Sequence, residues 1–325
     1  MTNFAQEFFD MIETYQSYKE VWDDDLDIEI LEQQAAIKRN PKLKFPPYGT
    51  KYFSPSSVSS CQRELYLKLT GAKKDEQTHL SYQRRWTLMG TAYGDMLQRQ
   101  LLFIEKHYEK VTGEKPAFTP QRTPEGYPMW EDFAKTLKTV THKGHTVNLF
   151  GTPDGLLTHS SGTPIGIEIK SKQTSHSKTS EYSMKEPTEE HFLQCVAYSI
   201  MFGIDDYLIV YGNLSKKNWI MSEEEYKKYP DLRVFHRHIT DSDRQNLLDR
   251  LVEVLDAANK KTPPKMNIDK FTFNNFKEAT AKSLTDNEFN EVKEYVKAVI
   301  KSNIPQYKKD QAFENFQILK ELRGN

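Results

Sequence analysis

Between residues 145 and 172 the spacing of apolar residues changes from helical to strictly alternating, and this stretch limits the possible folds more than any other. Ile165, Ile167 and Ile169 alternate with Gly166, Glu168 and Lys170. One face of an extended segment is therefore apolar, and the other holds Glu168 and Lys170 side by side. The stretch reads as two strands, TVNLFGTPDGLL and PIGIEIKS, around the turn His159-Ser160-Ser161-Gly162. Asp154 lies as far before Ser161 as Glu168 lies after it. A hairpin symmetrical about that turn sets the two carboxylates opposite each other, with Cβ atoms roughly 5 Å apart.

Two carboxylates that close repel unless something positive stands between them. A hard divalent cation such as magnesium meets that need, because it takes oxygen ligands and uses only one or two carboxylates. Lys170 then stands where it can orient water or stabilise charge on a phosphate. The alternative is an exposed strand with an ordinary cross-strand pair, and a D…ExK pattern alone does not choose between the two. The setting of Asp154, Gly151-Thr152-Pro153-Asp154-Gly155, favours the site. Its glycines break the strand and let another backbone come close, which a surface hairpin does not need.

The 325 residues suffice for one large domain or two ordinary ones. Residues 1–50 carry an acidic block, Asp23 to Asp27, and read as a helical arm or mobile extension. Residues 51–260 read as the core and 261–325 as a charged helical extension. Within the core, SPSSVSSCQRELYLKLTG reads as a short capped helix, and Ser81 to Thr112 as a long one with Gly90 and Gly94 on one face. A helix from about Thr188 to Phe202 closes at Gly203, and YLIVYGN, KNWIM and RVFHRHI read as strands. A helix from Asp241 to about Asn259 follows. His236 and His238 fit an exposed strand face, and His142 and His145 a surface turn.

A net charge of −1 argues against a protein that coats nucleic acid by bulk attraction, though not against a local basic groove. Lys170, Lys172, Lys178 and Lys185 form such a stretch, or else a solvated loop. The two cysteines, Cys61 and Cys195, cannot build a four-cysteine centre and suggest a reducing, cytoplasmic setting. No signal sequence and no apolar run of roughly 20 residues points to a membrane.

Pro153-Asp154 followed by Glu168-Ile169-Lys170 resembles the signature of the PD-(D/E)XK nucleases. The surroundings resemble the RecB-like and phage-exonuclease branch, in which a Gln-x-x-x-Tyr helix follows the hairpin. Gln194 and Tyr198 supply that motif here. Ser54-Pro55-Ser56-Ser57 leading to Cys61, Arg63 and Tyr66 is similar to the branch's upstream segment. The resemblance covers residues 50 to 260. It departs from the branch at Gly90-Thr91-Ala92-Tyr93-Gly94-Asp95, where Gly94 stands in place of the usual metal-binding histidine. Asp95 is then either a replacement ligand or a solvated helix residue. Some relatives carry an iron–sulfur cluster, and the absence of cysteine from the C-terminal tail excludes it here.

The resemblance implies an α/β fold with a restriction-endonuclease-like core, a mixed central sheet flanked by helices, and helical extensions at both ends. It implies magnesium or manganese held by Asp154, Glu168 and the backbone carbonyl of Ile169. Lys170 would act on the attacking water, Gln194 would position substrate, and Tyr198, Lys172, Arg63, Arg84 and Arg85 would meet DNA. The implied reaction is hydrolysis of DNA from its ends, in recombination, repair or phage DNA metabolism, leaving a 5′-phosphate and a 3′-hydroxyl. An endonuclease, a DNA-binding module without catalysis, a homo-oligomer and a recombination partner protein all remain open.

Overall fold

The computed structural model describes residues 3–76 and 80–324. Its helices are α1 (Phe4–Ser17), α2 (Asp24–Arg39), α3 (Gln62–Leu69), α4 (Ser81–Thr112), α5 (Glu189–Phe202), α6 (Glu223–Lys228), α7 (Asp241–Lys260), α8 (Lys277–Ser283), α9 (Asp286–Lys301) and α10 (Gln306–Arg323). The strands are β1 (Phe118–Pro120), β2 (Thr136–His142), β3 (His145–Gly151), β4 (Gly155–His159), β5 (Pro164–Lys172), β6 (Asp206–Asn213) and β7 (Leu232–His238). Two compact units interleave along the chain. Met1–Tyr48, His79–Lys138 and Leu149–Arg244 make the first, and Gly49–Thr78, Thr139–Asn148 and Gln245–Asn325 the second. These boundaries differ from a division at residues 50 and 260, because residues 49–78 fall with the C-terminal helices.

The first unit is built on a five-stranded sheet in the order β1-β4-β5-β6-β7. β5 and β6 run parallel, and the other neighbours are antiparallel. This is the expected mixed α/β class, consistent with a restriction-endonuclease-like core. Gly155 pairs with Ile167 and Leu157 with Ile165, each pair equidistant from Ser161, so the symmetrical hairpin is the observed one. The Ile face of β5 packs with Leu208 and Val210 of β6 against Leu97, Leu101 and Ile104 of α4. Phe8, Met11 and Ile12 of α1 belong to the same cluster. That helix is therefore part of the core rather than a free arm, because Phe8, Met11, Ile12 and Tyr15 form one apolar stripe at helical spacing. The acidic block has a structural use: Asp23 accepts from Leu26 N at the start of α2 and pairs with Lys106 and His107 at 2.6 Å each.

Three local readings need correction. TVNLFGTPDGLL is two strands, β3 and β4, of different sheets, separated at the Gly- and Pro-containing break before Asp154. The Ser-rich segment and Arg63 helix are also separate: one 3-10 turn at Pro55–Ser57, then α3, ended by Gly71 at φ +80°. KNWIM is not a strand. Asn213 Oδ1 accepts from Ser215 N at 3.0 Å and the Asn213 carbonyl from Lys216 Nζ at 2.7 Å, which turns the chain out of β6 and leaves Trp219 in solvent.

Gly166, near the start of β5, is opposite Tyr207 of β6, whose ring is fully buried. A methyl at 166 would overlap that ring. Gly166→Ala is expected to cost about 1–3 kcal/mol through overpacking. Urea unfolding measures it, and an unchanged midpoint would mean that the ring swings aside freely.

In the second unit, Ile268, Phe271, Ala281, Leu284, Val292, Val296 and Leu319 form a separate core. His142 and His145, expected at the surface, pair with Asp249 and Asp256 of α7 at 2.5 and 3.2 Å.

Candidate active site

The β4–β5 ladder ends at Gly155–Ile167, so the next position sets Asp154 beside Glu168. Asp154 Oδ2 accepts from Ile169 N at 2.7 Å, and its backbone carbonyl accepts from Gln98 Nε2 of α4 at 2.8 Å. Lys170 Nζ forms an ion pair with Glu168 Oε1. The sheet face carrying these residues is covered: Glu168 is 0 % exposed, and Lys170 Nζ donates to Gln194 Oε1 of α5 at 3.2 Å. Among the described residues, neither carboxylate oxygen of Glu168 accepts a hydrogen bond of good geometry. The ion pair with Lys170 is therefore a charge contact that leaves both oxygens with lone pairs to offer.

The electrostatics follow from that burial. Glu168 is pushed up to about 8, first by desolvation and then by the Asp154 charge. Burial also raises Asp154. Desolvation alone would draw the Lys170 ammonium down, but Glu168 and Asp154 outweigh it and hold it above the usual lysine range. The cluster thus sets two carboxyl groups, both raised by burial, against one ammonium.

Asp154, Ile169 and Lys170 line a cavity of about 250 Å³, together with Gly90, Thr91, Gly94, Asp95 and Gln98 of α4 and Glu131. Asp95 therefore reaches the same cavity as the hairpin. Glu131 was not expected there. Its backbone is left-handed at φ +45°, unusual for a residue with a side chain, and its amide donates to Pro153 O at 2.9 Å. Its side chain is exposed at the rim of the cavity, and desolvation there, with Asp154 and Asp95 nearby, raises its carboxyl. The Trp-Glu-Asp turn that holds it carries no periodicity or motif, so no local signal marks it.

Gln194 and Tyr198, four apart on α5, share a face, as their spacing predicts. Gln194 meets Lys170, while the Tyr198 hydroxyl donates to the Thr152 carbonyl just before Asp154. Tyr198 is buried, so it braces the hairpin and is not open to DNA. Lys172 lies 5.2 Å over the Tyr211 ring at the end of β5, and burial, with Lys178 and Lys170 nearby, lowers its ammonium. Arg84 and Arg85 are exposed on the first turns of α4. Arg63 is not a surface cation: it is 1 % exposed inside the second unit, with its guanidinium bound to Pro264, Ser283 and Glu288.

Among the described residues, no group of three or more His, Cys, Asp or Glu side chains stands ready to hold a metal ion. The residues present nevertheless fit a hard cation held by two carboxylates, since the two buried oxygens of Glu168 accept no hydrogen bond of good geometry among the described residues and stand beside Asp154. Among those residues no helix is long and apolar enough to cross a membrane.

No family model matches the chain, and no curated protein matches it. Among solved structures, the crystal structure of SSO0001 aligns with a TM-score of 0.40 at 10% identity, covering 77% of this chain and 93% of that chain. An alkaline exonuclease from Laribacter hongkongensis aligns with a TM-score of 0.35 at 14% identity, over 65% of this chain and 90% of that one. A phage-related exonuclease from Haemophilus somnus 129PT gives a TM-score of 0.31 at 14% identity, over 70% and 86%.

Proposed function

We propose that this chain is a divalent-metal-dependent deoxyribonuclease that hydrolyses phosphodiester bonds, acting as an exonuclease on DNA ends. The observation that carries the reading is Glu168, a fully buried carboxylate whose oxygens accept no hydrogen bond of good geometry among the described residues, set beside Asp154 and ion-paired with Lys170. A protein gains nothing in stability from such a group, and sites that hold cations need one. Asp154, Glu168 and the carbonyl of Ile169 are the residues that would hold magnesium or manganese, with Asp95 and Glu131 as further oxygen donors lining the cavity. The cation supplies charge neutralisation and polarisation of the phosphate.

The chain's own residues do the rest. Lys170, kept protonated by Glu168, donates to a phosphate oxygen or to water and does not serve as a base. Gln194 fixes the direction of that ammonium through its amide oxygen. Tyr198 and Gln98 hold the backbone on either side of Asp154, so the carboxylates keep their separation as substrate enters. DNA and action at ends come from the sequence resemblance.

The test is incubation of purified protein with linear and circular DNA in magnesium or manganese, beside Lys170→Ala. Degradation of linear DNA that falls at least about a hundredfold in the variant is expected. No degradation by the wild-type protein in either metal would falsify the enzyme reading. Circles cut as fast as linear DNA would leave a nuclease but remove the exonuclease.

A further inference from the structure

A second cavity, of about 440 Å³, adjoins the first. Trp86, Thr87, Gly90, Ser171, Lys172, Gln173 and Thr174 line it, and Gly90 belongs to both. The α4 residues concerned, Trp86, Thr87, Gly90, Thr91, Gly94 and Asp95, recur at helical spacing and so form one continuous face. The opposite wall is consecutive chain at the end of β5, from Ile169 to Thr174. Together they bound a trench that runs from Asp154 out to Trp86.

The lining of the outer part is unusual for an ordinary solvent-facing helix. Trp86 is 43 % exposed, with the Tyr82 ring set edge-on to it at 5.1 Å. Its backbone carbonyl accepts from Gln173 Nε2 at 2.8 Å, which ties the helix to the β5 wall. Gln173 Oε1 accepts no hydrogen bond among the described residues. At Gly90 the walls almost meet, since a methyl there would stand 2.9 Å from Ser171 Oγ, whereas at Gly94 there is open space. An exposed aromatic surface thus stands at the outer end of a face of α4 whose inner end lines the cavity of Asp154.

We propose that Trp86 is a stacking platform for an unpaired nucleobase. The site lies along the strand from the bond placed at Asp154 and Glu168. This rests on the nuclease reading, and it adds a binding residue that the hairpin signature does not include. Stacking suits the trench because every base has a π-face, so a strand of any sequence can be drawn through it. The outer cavity, about 440 Å³, is comparable in size to one or two nucleotides.

The test is binding of a labelled single-stranded oligonucleotide of mixed sequence in EDTA, where nothing is cut. Loss of one base stack is worth about 1–3 kcal/mol, so Trp86→Ala should bind about tenfold more weakly, and Trp86→Phe should stay within about threefold of wild type. Equal affinity of Trp86→Ala and wild type overturns the proposal, as does binding of blunt duplex with the same dependence on Trp86. The same proteins are then assayed with manganese. If wild type degrades DNA and Trp86→Ala binds normally, the stacking site fails and the nuclease stands. If binding depends on Trp86 but nothing is degraded, the nuclease reading fails and the stacking site stands.

Discussion

Glu168→Gln is expected to abolish DNA degradation and, at the same time, to raise the melting temperature of the metal-free protein by several degrees. Both effects follow from one carboxylate that is fully buried, accepts no hydrogen bond of good geometry among the described residues and has a second carboxylate beside it. Its folded pKa, about 8, lies above the roughly 4.3 of an unfolded glutamate. A raised carboxyl favours the folded state when protonated. Its contribution is therefore fully present below about pH 4.3 and is lost as pH rises toward 8. Near pH 7 the cost is on the order of 3 kcal/mol, which for a domain of this size corresponds to several degrees. The glutamine amide is neutral and can donate to Asp154, so the variant lacks that pH slope. Manganese should stabilise the wild-type protein by mass action and leave the variant unmoved. Thermal melts in EDTA from pH 5 to 8 decide it, and a variant that melts lower with the same slope would mean that the carboxylate is structurally satisfied.

The sequence predicts the hairpin's register because alternation has period two and the turn at Ser161 leaves one symmetrical pairing. Gln194 was readable for a similar reason: helical spacing sets it on the same face as Tyr198. Alternation states which residues share a face and is silent on what covers that face. The burial of Glu168 therefore could not be read, since it depends on α5 lying over β5, a long-range contact between segments about two dozen residues apart. Glu131 was invisible because its place comes from a left-handed turn hydrogen-bonded to Pro153, with no pattern in the neighbouring residues. For Arg63 the sequence misleads for the opposite reason. An arginine near a motif suggests phosphate, and only the fold shows that its donors are already engaged.

Arg63→Ala is accordingly expected to destabilise the second unit by about 3–5 kcal/mol while leaving DNA affinity of the folded protein within about twofold. Arg63 Nε donates to Pro264 O at 2.7 Å, and Nη1 to Ser283 O and Oγ at 3.1 and 3.2 Å. Nη2 binds the Glu288 carboxylate, whose other oxygen accepts from Thr285 N at 2.9 Å in the capping box that begins α9. Truncation leaves two carbonyls and a carboxylate without their donor at a position 1 % exposed to water. Arg63→Lys should rescue little, because an ammonium cannot reproduce a fork that reaches three separate residues. The loss should appear as early urea unfolding and as proteolytic cleavage within Gly49–Thr78 or Gln245–Asn325, the segments that share this core. A variant that keeps its unfolding midpoint but loses DNA affinity would place Arg63 on the nucleic acid after all.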